Sequence, residues 1–285
     1  MEARGAAILA AFPQAVKIAK GLNRFEQELF TACLQSLEQT SNPLRFNNFA
    51  TALRELSRIV LQDRAPDEEV KACCWYEEEL NQQGKPAITR AQRLRYAAQA
   101  GLPIDFVQET LVVDVKGAID DFKGLVDQLS RFTHISEDVF GVDESDVDDL
   151  VGQALDTFEL MLSTIDECRS EVEKTLVEHA NDALDYEMIN NTVQAIDELA
   201  THHTIEGSNI DDFELQYLGH DKIIFRASGS VDCQLQYGSD MDYERGDGVR
   251  CDDNYPLTCE FEAPASSPLD LQVKNLHVDN SSFYE

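Results

Sequence analysis

Residues 147–177, VDDLVGQALDTFELMLSTIDECRSEVEKTLV, decide the fold class of this chain. Apolar residues recur there at every third or fourth position, from Val147 through Leu155, Phe158 and Leu162 to Val177. This spacing places them on one face of a helix. Because the pattern continues for about thirty residues, it predicts the longest helix of the chain.

The same period extends toward the N-terminus. Phe46, Phe49 and Leu56 form one apolar stripe, and residues 112–132 carry another. Thr89 has the side chain and the position to cap a further helix. The sequence therefore predicts a helical bundle from about residue 4 to about residue 200.

Near His202 the period changes to strict alternation. Segments such as 213–217, 231–237 and 257–261 alternate apolar with polar residues and are separated by glycines. They predict five or six short antiparallel strands. We therefore expect an α+β chain, with an all-helical N-terminal bundle at residues 1–203 and a small antiparallel β domain, sandwich-like or a partial barrel, at residues 204–285.

The charge of the chain restricts its partners. Lys and Arg number 23 against 54 Asp and Glu, which gives a net charge of -31, and both halves are acidic. A field of this sign repels free nucleic acid, so nucleic acid is only weakly supported as a partner. It favours partner proteins with a basic surface, and self-association is a further expectation.

Other features point to a cytoplasmic protein without a cofactor. Seven cysteines without zinc-type spacing fit reduced thiols, and we predict no metal site. The apolar run at residues 6–12 is too short to span a bilayer, so no membrane partner is expected. Motifs for nucleotide hydrolysis, hydride transfer, serine hydrolysis and zinc proteolysis are missing from the sequence.

Arg131 and His134, at the end of the predicted helix over residues 112–132, are the first candidates for catalysis. An arginine stabilises negative charge on a phosphate and a histidine transfers a proton, so the pair suits metal-independent cleavage of RNA. Arg54 lies one turn before Arg58 and can add a phosphate contact, although Glu55 can equally pair with these neighbours on a solvated face. The alternative is a structural end cap, in which His134 and Arg131 satisfy free helix carbonyls.

Asp240, Arg245 and Asp247 lie in a segment rich in Gly, Asp and Ser between two predicted strands. Such a loop can bind a ligand. The same residue types are also what a hairpin turn requires, so both interpretations stay open.

Several longer strings resemble a known family. They are RFNNFATALREL at 45–56, ITRAQR at 88–93, LSRFTHI at 129–135, DELATHH at 197–203, ASGSVD at 227–232, LQYGSD at 235–240 and RGDG at 245–248. From about residue 45 to residue 262 the chain resembles bacterial proteins described as predicted PIWI-associating nucleases, found in defence-type gene neighbourhoods. The resemblance implies a role in anti-phage defence, as a nuclease or as an accessory subunit.

The pair Arg131 and His134 also resembles the motif of HEPN helical domains, many of which are ribonucleases. In that motif four to six residues separate the two side chains, whereas two separate them here. The resemblance implies a HEPN-like helical part at residues 1–203. A non-catalytic alternative also stands, in which the acidic chain docks on a basic partner or mimics nucleic acid.

Overall fold

The computed structural model describes residues 12–81, 83–191, 193–200 and 202–284, and it confirms the predicted α+β class. The helices are α1 (Gln14–Lys20), α2 (Arg24–Leu37), α3 (Arg45–Arg64), α4 (Asp67–Ala72), α5 (Arg90–Gln99), α6 (Val115–Thr133), α7 (Glu144–Asn190), α8 (Gln194–Asp197) and α9 (Asp240–Arg245), with a π-helical turn at Phe106–Thr110 and a 3₁₀ turn at Ser281–Tyr284. The strands are β1 (Glu79–Leu80), β2 (Pro86–Ala87), β3 (His202–Leu218), β4 (Lys222–Tyr237), β5 (Val249–Pro264) and β6 (Gln272–Val278).

Two compact units form within the described chain. The helical unit comprises the described residues up to Ala100 together with Val107–Cys168, and the sheet unit comprises Gly101–Phe106 and the residues from Arg169 onward. The division therefore falls inside α7. The predicted border at residue 203 coincides instead with the change from helix to strand, because β3 begins at His202.

The helices of the helical unit form where apolar stripes and capping residues coincide. On α3 the predicted stripe of Phe46, Phe49 and Leu56 is buried. α5 begins at the predicted cap, since the Thr89 hydroxyl accepts a hydrogen bond from the backbone N–H of Gln92 at 3.2 Å, and the Gln92 side chain accepts one from the N–H of Thr89. These contacts satisfy N–H groups that lack partners inside the helix.

α7 is longer than the sequence pattern predicted. It runs without interruption for 47 residues, from Glu144 to Asn190, and so extends beyond both ends of the predicted stretch at residues 147–177. Asn181 does not end the helix because its side chain donates to the carbonyl of Val177 in the preceding turn, at 3.0 Å. None of the described helices is both long and apolar enough to cross a membrane. The apolar run that starts at Ala6 lies, except for Phe12, outside the described residues.

The sheet is open and four-stranded, in the order β3-β4-β5-β6, and every neighbouring pair is antiparallel. The prediction of five or six short strands was wrong, because residues 222–226 and 231–237 belong to the single strand β4. Gly229 lies inside β4, and a Cβ there would come within 1.9 Å of the Asn209 carbonyl oxygen on β3. The lack of a side chain at Gly229 therefore lets β3 and β4 approach closely, and this glycine does not mark a turn. β1 and β2 form a separate two-residue hairpin in the helical unit.

The outer edge of β3 is covered by side chains of α7. Asp185 accepts hydrogen bonds from the Ser208 N–H at 3.0 Å and the Ser208 hydroxyl at 2.6 Å, and Asn181 accepts from the N–H of Ile210 at 3.1 Å. Exposed edge N–H groups invite pairing with other chains, so this cover protects the sheet along β3.

Candidate functional site

Three arginines of the helical unit surround one glutamate. Arg58 Nε donates to Glu55 Oε2 at 2.8 Å, and Arg54 Nη1 lies 3.8 Å from Glu55 Oε1. Arg90, the first residue of α5, is close enough for its charge to act on the same carboxylate. We call Arg54, Arg58 and Arg90 the arginine cluster.

The charges in the arginine cluster act on one another. Burial lowers the pKa of the Arg90 guanidinium, and the positive charges of Arg54 and Arg58 lower it further, while Glu55 opposes them. The pKa of Glu55 lies below its usual range because Arg58 donates a hydrogen bond to it and because all three guanidinium groups are near. One carboxylate therefore faces three cations, which leaves an excess of positive charge.

Two members of the arginine cluster also hold unsatisfied donors. The Nε atoms of Arg54 and Arg90 are buried, and neither has a hydrogen-bond partner among the described residues. A buried N–H without an acceptor costs about 1–3 kcal/mol. Like charges held together at this cost are typical of a site that receives an anion.

Two other arginines of the helical unit, Arg64 and Arg93, have hydrogen-bond partners within the described chain that the Nε atoms of Arg54 and Arg90 lack. Arg64 donates to both oxygens of the fully buried Glu26 and to the carbonyls of Val60 and Gly21. Arg93, one turn after Arg90, donates to the Ala65 carbonyl and to Asp67. Both bind acceptors within the fold, whereas Arg54 and Arg90 leave Nε free.

A cleft of about 320 Å³ opens beside Arg90. Its lining combines apolar, cationic and acidic side chains: Glu79, Thr89, Arg90, Ala91, Phe122, Lys123, Val126 and Asp127. Arg90 belongs to both, so the cleft lined by α5 and α6 lies beside the arginines of α3.

Arg131 and His134 lie at the other end of α6. Arg131 is in its last turn, His134 is the residue that ends it, and both are exposed. The charge of Arg131 lowers the pKa of Asp138, although the hydrogen bond from Ser136 contributes more. Arg131 and His134 are thus neighbours on an accessible surface.

Asn47 fixes the segment that carries His134. Its side chain is 3% exposed and donates to the carbonyls of Phe132 at 2.9 Å and Val139 at 3.3 Å, which flank His134. Phe132 also packs edge-to-face on Phe46, with ring centroids 4.7 Å apart. The helix end is therefore held against the start of α3.

Asn47, Arg54 and Arg58 occupy one face of α3, because their spacings of seven and four residues correspond to whole helical turns. Seven residues at 1.5 Å each place Arg54 about 10 Å along the axis from Asn47. The structure therefore brings Arg54 together with Arg58 and Arg90, whereas Arg131 and His134 belong to the end of α6 that is held near Asn47, about two helical turns before Arg54 on α3.

The candidate ligand residues of the sheet unit build the connection from β4 to β5. Asp240 accepts a hydrogen bond from Gln236 at 2.9 Å and lies 4.0 Å from Arg250. Arg245 is the last residue of α9, and the N–H of Asp247 donates to the carbonyl of Asp242 behind the left-handed Gly246. The hairpin interpretation accounts for these contacts, and ligand binding there stays a prediction.

Sequence reasoning missed Arg90, Lys123 and Asp127. The cap at Thr89 was visible, but its position beside Arg54 depends on how α5 packs against α3. No three His, Cys, Asp or Glu side chains of the described chain are arranged as metal ligands, and none of the seven cysteines forms a disulfide bond.

Comparison with known proteins identifies the family. Two family models, both described as predicted pPIWI-associating nuclease, match residues 19–158 and residues 165–284. No curated protein and no solved structure matches the chain. The two matches do not overlap, they carry the same description, and between them they include the helical site and the sheet. The chain belongs to the family of predicted pPIWI-associating nucleases.

Proposed function

We propose that this protein acts on RNA in bacterial anti-phage defence, with the helical unit binding the phosphates. One observation carries the proposal. In a chain of net charge -31, three arginines gather around a single carboxylate, and two of them keep a buried donor unpartnered. The family description supplies the nuclease activity as a hypothesis for this chain.

Cleavage is assigned to His134 and Arg131. In RNA the 2′-hydroxyl attacks the adjacent phosphorus while the bond to the 5′-oxygen breaks. The His134 imidazole takes the hydroxyl proton or protonates the leaving oxygen, water exchanges the other proton, and Arg131 stabilises the charge on the phosphate. The exposure of both side chains is consistent with these roles.

Arg54 acts on a neighbouring phosphate. Because it lies about 10 Å along α3 from the residue that holds the His134 segment, it contacts a phosphate other than the one that is cleaved. Arg58 and Arg90 share that contact. One RNA strand following the face of α3 would then reach both places.

The second candidate function is a non-catalytic module that docks on a basic partner protein or mimics nucleic acid. The net charge of -31 favours it, and the family description includes association with pPIWI proteins. A basic partner would also neutralise the field that opposes binding of nucleic acid. In this alternative Arg131 and His134 only cap α6.

The test incubates the full-length protein with labelled single-stranded RNA and with DNA of the same sequence, in Mg²⁺ and in EDTA. We expect RNA but not DNA to be cut, in both buffers, because the mechanism uses the 2′-hydroxyl and no metal. His134→Ala and Arg131→Gln should each reduce the rate at least about 100-fold, as expected when general acid–base catalysis or charge stabilisation is lost.

Arg24→Gln is the matched control, because Arg24 is exposed and, within the part of the chain that the structure describes, forms its ion pair with Glu28 on α2. Its rate should equal that of the wild type. If neither nucleic acid is cut, or if His134→Ala cuts as fast as the wild type, the ribonuclease assignment is wrong. Salt-sensitive capture of a basic protein without cleavage would favour the docking module.

A further inference from the structure

We propose that the cleft beside the arginine cluster binds a single nucleotide, as a free monophosphate or as one unit of a strand, with its phosphate on the arginines and its base inside. The inference rests on the proposed role of the arginine cluster in binding phosphate. It deepens that role by naming the ligand that the site selects.

The phosphate end of the site is cationic and anchored. Arg90 lines the cleft, and the charges of Arg54 and Arg58 act on its guanidinium. The Nε of Arg90 is buried and has no acceptor among the described residues, so a phosphate in the cleft would bind the terminal Nη groups of the same guanidinium. Phosphate oxygens form short, charge-assisted hydrogen bonds with guanidinium N–H groups. The start of α5 adds partial positive charge on the same side.

The rest of the cleft lining suits a base. It includes the apolar side chains of Ala91 on α5 and of Phe122 and Val126 on α6, of which the two on α6 are buried. Glu79 and Asp127 add exposed carboxylates. Carboxylates accept hydrogen bonds from the amino and imino groups of nucleobases, and apolar walls contact the ring faces.

The mixed composition of the cleft discriminates between ligands. Inorganic phosphate would leave the apolar wall unfilled and would meet two carboxylates without donating to them. A nucleoside would leave the guanidinium donors unsatisfied. Only a ligand with an anionic end and a hydrogen-bond-donating apolar end matches both halves. The volume of about 320 Å³ lies at the lower end of the range for small-molecule sites, roughly 300–1,000 Å³.

The test is calorimetric titration of the full-length protein with adenosine, guanosine, cytidine and uridine 5′-monophosphates, with the four nucleosides, and with inorganic phosphate. We expect at least one monophosphate to bind about 10-fold or more tightly than both its nucleoside and inorganic phosphate. A monophosphate that binds no better than inorganic phosphate would overturn the inference, as would the absence of any binding at millimolar concentration.

Variants separate the two ends of the site. Arg90→Gln should weaken binding of the monophosphate about 10-fold or more, the effect of losing a charged hydrogen bond. Asp127→Asn should change affinity for the monophosphate but leave the affinity for inorganic phosphate unchanged. Since Asp127 is exposed, this variant tests the base end even if Arg90→Gln proves unstable. Arg24→Gln should bind as the wild type does, and equal binding by Arg90→Gln would contradict the proposal.

His134→Ala distinguishes this inference from the proposed cleavage. The variant should keep the nucleotide affinity while cleavage is lost. Binding by a wild-type protein that does not cut RNA would support the nucleotide site and refute the ribonuclease. Cleavage without nucleotide binding would do the reverse.

Discussion

Replacing Arg93 by glutamine should destabilise the protein and replacing Arg90 should not, although the two residues are one turn apart on α5. Arg93 is 13% exposed in its side chain and donates to Asp67 at 2.6 Å and to the Ala65 carbonyl. Losing a hydrogen bond to a charged group costs about 1.5–3 kcal/mol. Arg93→Gln should therefore lower the free energy of unfolding by about that amount.

Arg90→Gln removes an unpartnered buried donor and one of three like charges. The donor alone costs about 1–3 kcal/mol, and losing the packing of the longer side chain offsets part of the gain. We expect the free energy of unfolding to stay constant or to rise by about 1 kcal/mol. The two variants should thus differ by about 1.5–4 kcal/mol in the free energy of unfolding.

Urea unfolding followed by the fluorescence of Trp75 measures this difference. Trp75 is the only tryptophan and lies in the helical unit, where its indole N–H donates to the Ala100 carbonyl at 2.7 Å. At a slope of about 1–3 kcal/mol per M, a 2 kcal/mol difference separates the urea midpoints by roughly 1 M. If Arg90→Gln loses as much stability as Arg93→Gln, Arg90 is a structural residue and the phosphate site loses its main support.

Three further outcomes are expected. Glu55→Gln should tighten phosphate binding in calorimetry a few-fold, because it removes the carboxylate that competes for the arginines. Because the hydrogen bond from Arg58 lowers the pKa of Glu55 in the folded state, the stability that Glu55 contributes is present above the ordinary glutamate pKa and should be lost as the pH falls through the lowered one. A thiol reagent at pH 8 should modify the exposed Cys74 and Cys251 first, and the five buried thiols only on unfolding, since burial raises the pKa of four of them. Asp185→Ala should lower the free energy of unfolding by about 1–3 kcal/mol in chemical denaturation, because it leaves the Ser208 N–H at the edge of β3 without its acceptor.

Local sequence patterns were sufficient to predict the helices, but not where one helix or strand ends and the next begins. The stripes on α3 and α6 and the cap at Thr89 are determined within a few residues, so the sequence was sufficient to predict them. Gly229 was misleading, because a glycine that permits close strand approach has the same local signature as one in a turn. The uninterrupted course of α7 through Asn181 was hidden in a similar way, since a side chain that bonds its own helix and one that ends it look alike.

The site was predictable only in part, for a physical reason. Arg54 and Arg58 are one turn apart, so their proximity was visible in the sequence. Arg90 joins them only because α5 packs against α3, and no local pattern encodes that packing. Arg131 and His134 lie close in sequence at the end of α6, and their separation from the arginine cluster depends on the contact of Phe132 with Phe46 at the start of α3, which no local pattern encodes.

The net charge and the arginine cluster act over different distances, and this difference limits what the protein binds. At physiological salt the Debye length is about 8 Å, so the arginines are felt only by a ligand in contact with them. A longer strand extends beyond the arginine cluster over a surface that carries 54 acidic side chains against 23 basic ones in the whole chain. Each added phosphate then meets repulsion rather than a new cation, in contrast to proteins whose affinity grows with every neutralised phosphate. Affinity measured against RNA length should therefore level off after the few nucleotides that the arginine cluster and the His134 segment contact. An affinity that continued to rise with length would require a second cationic surface, supplied by another copy or by a basic partner.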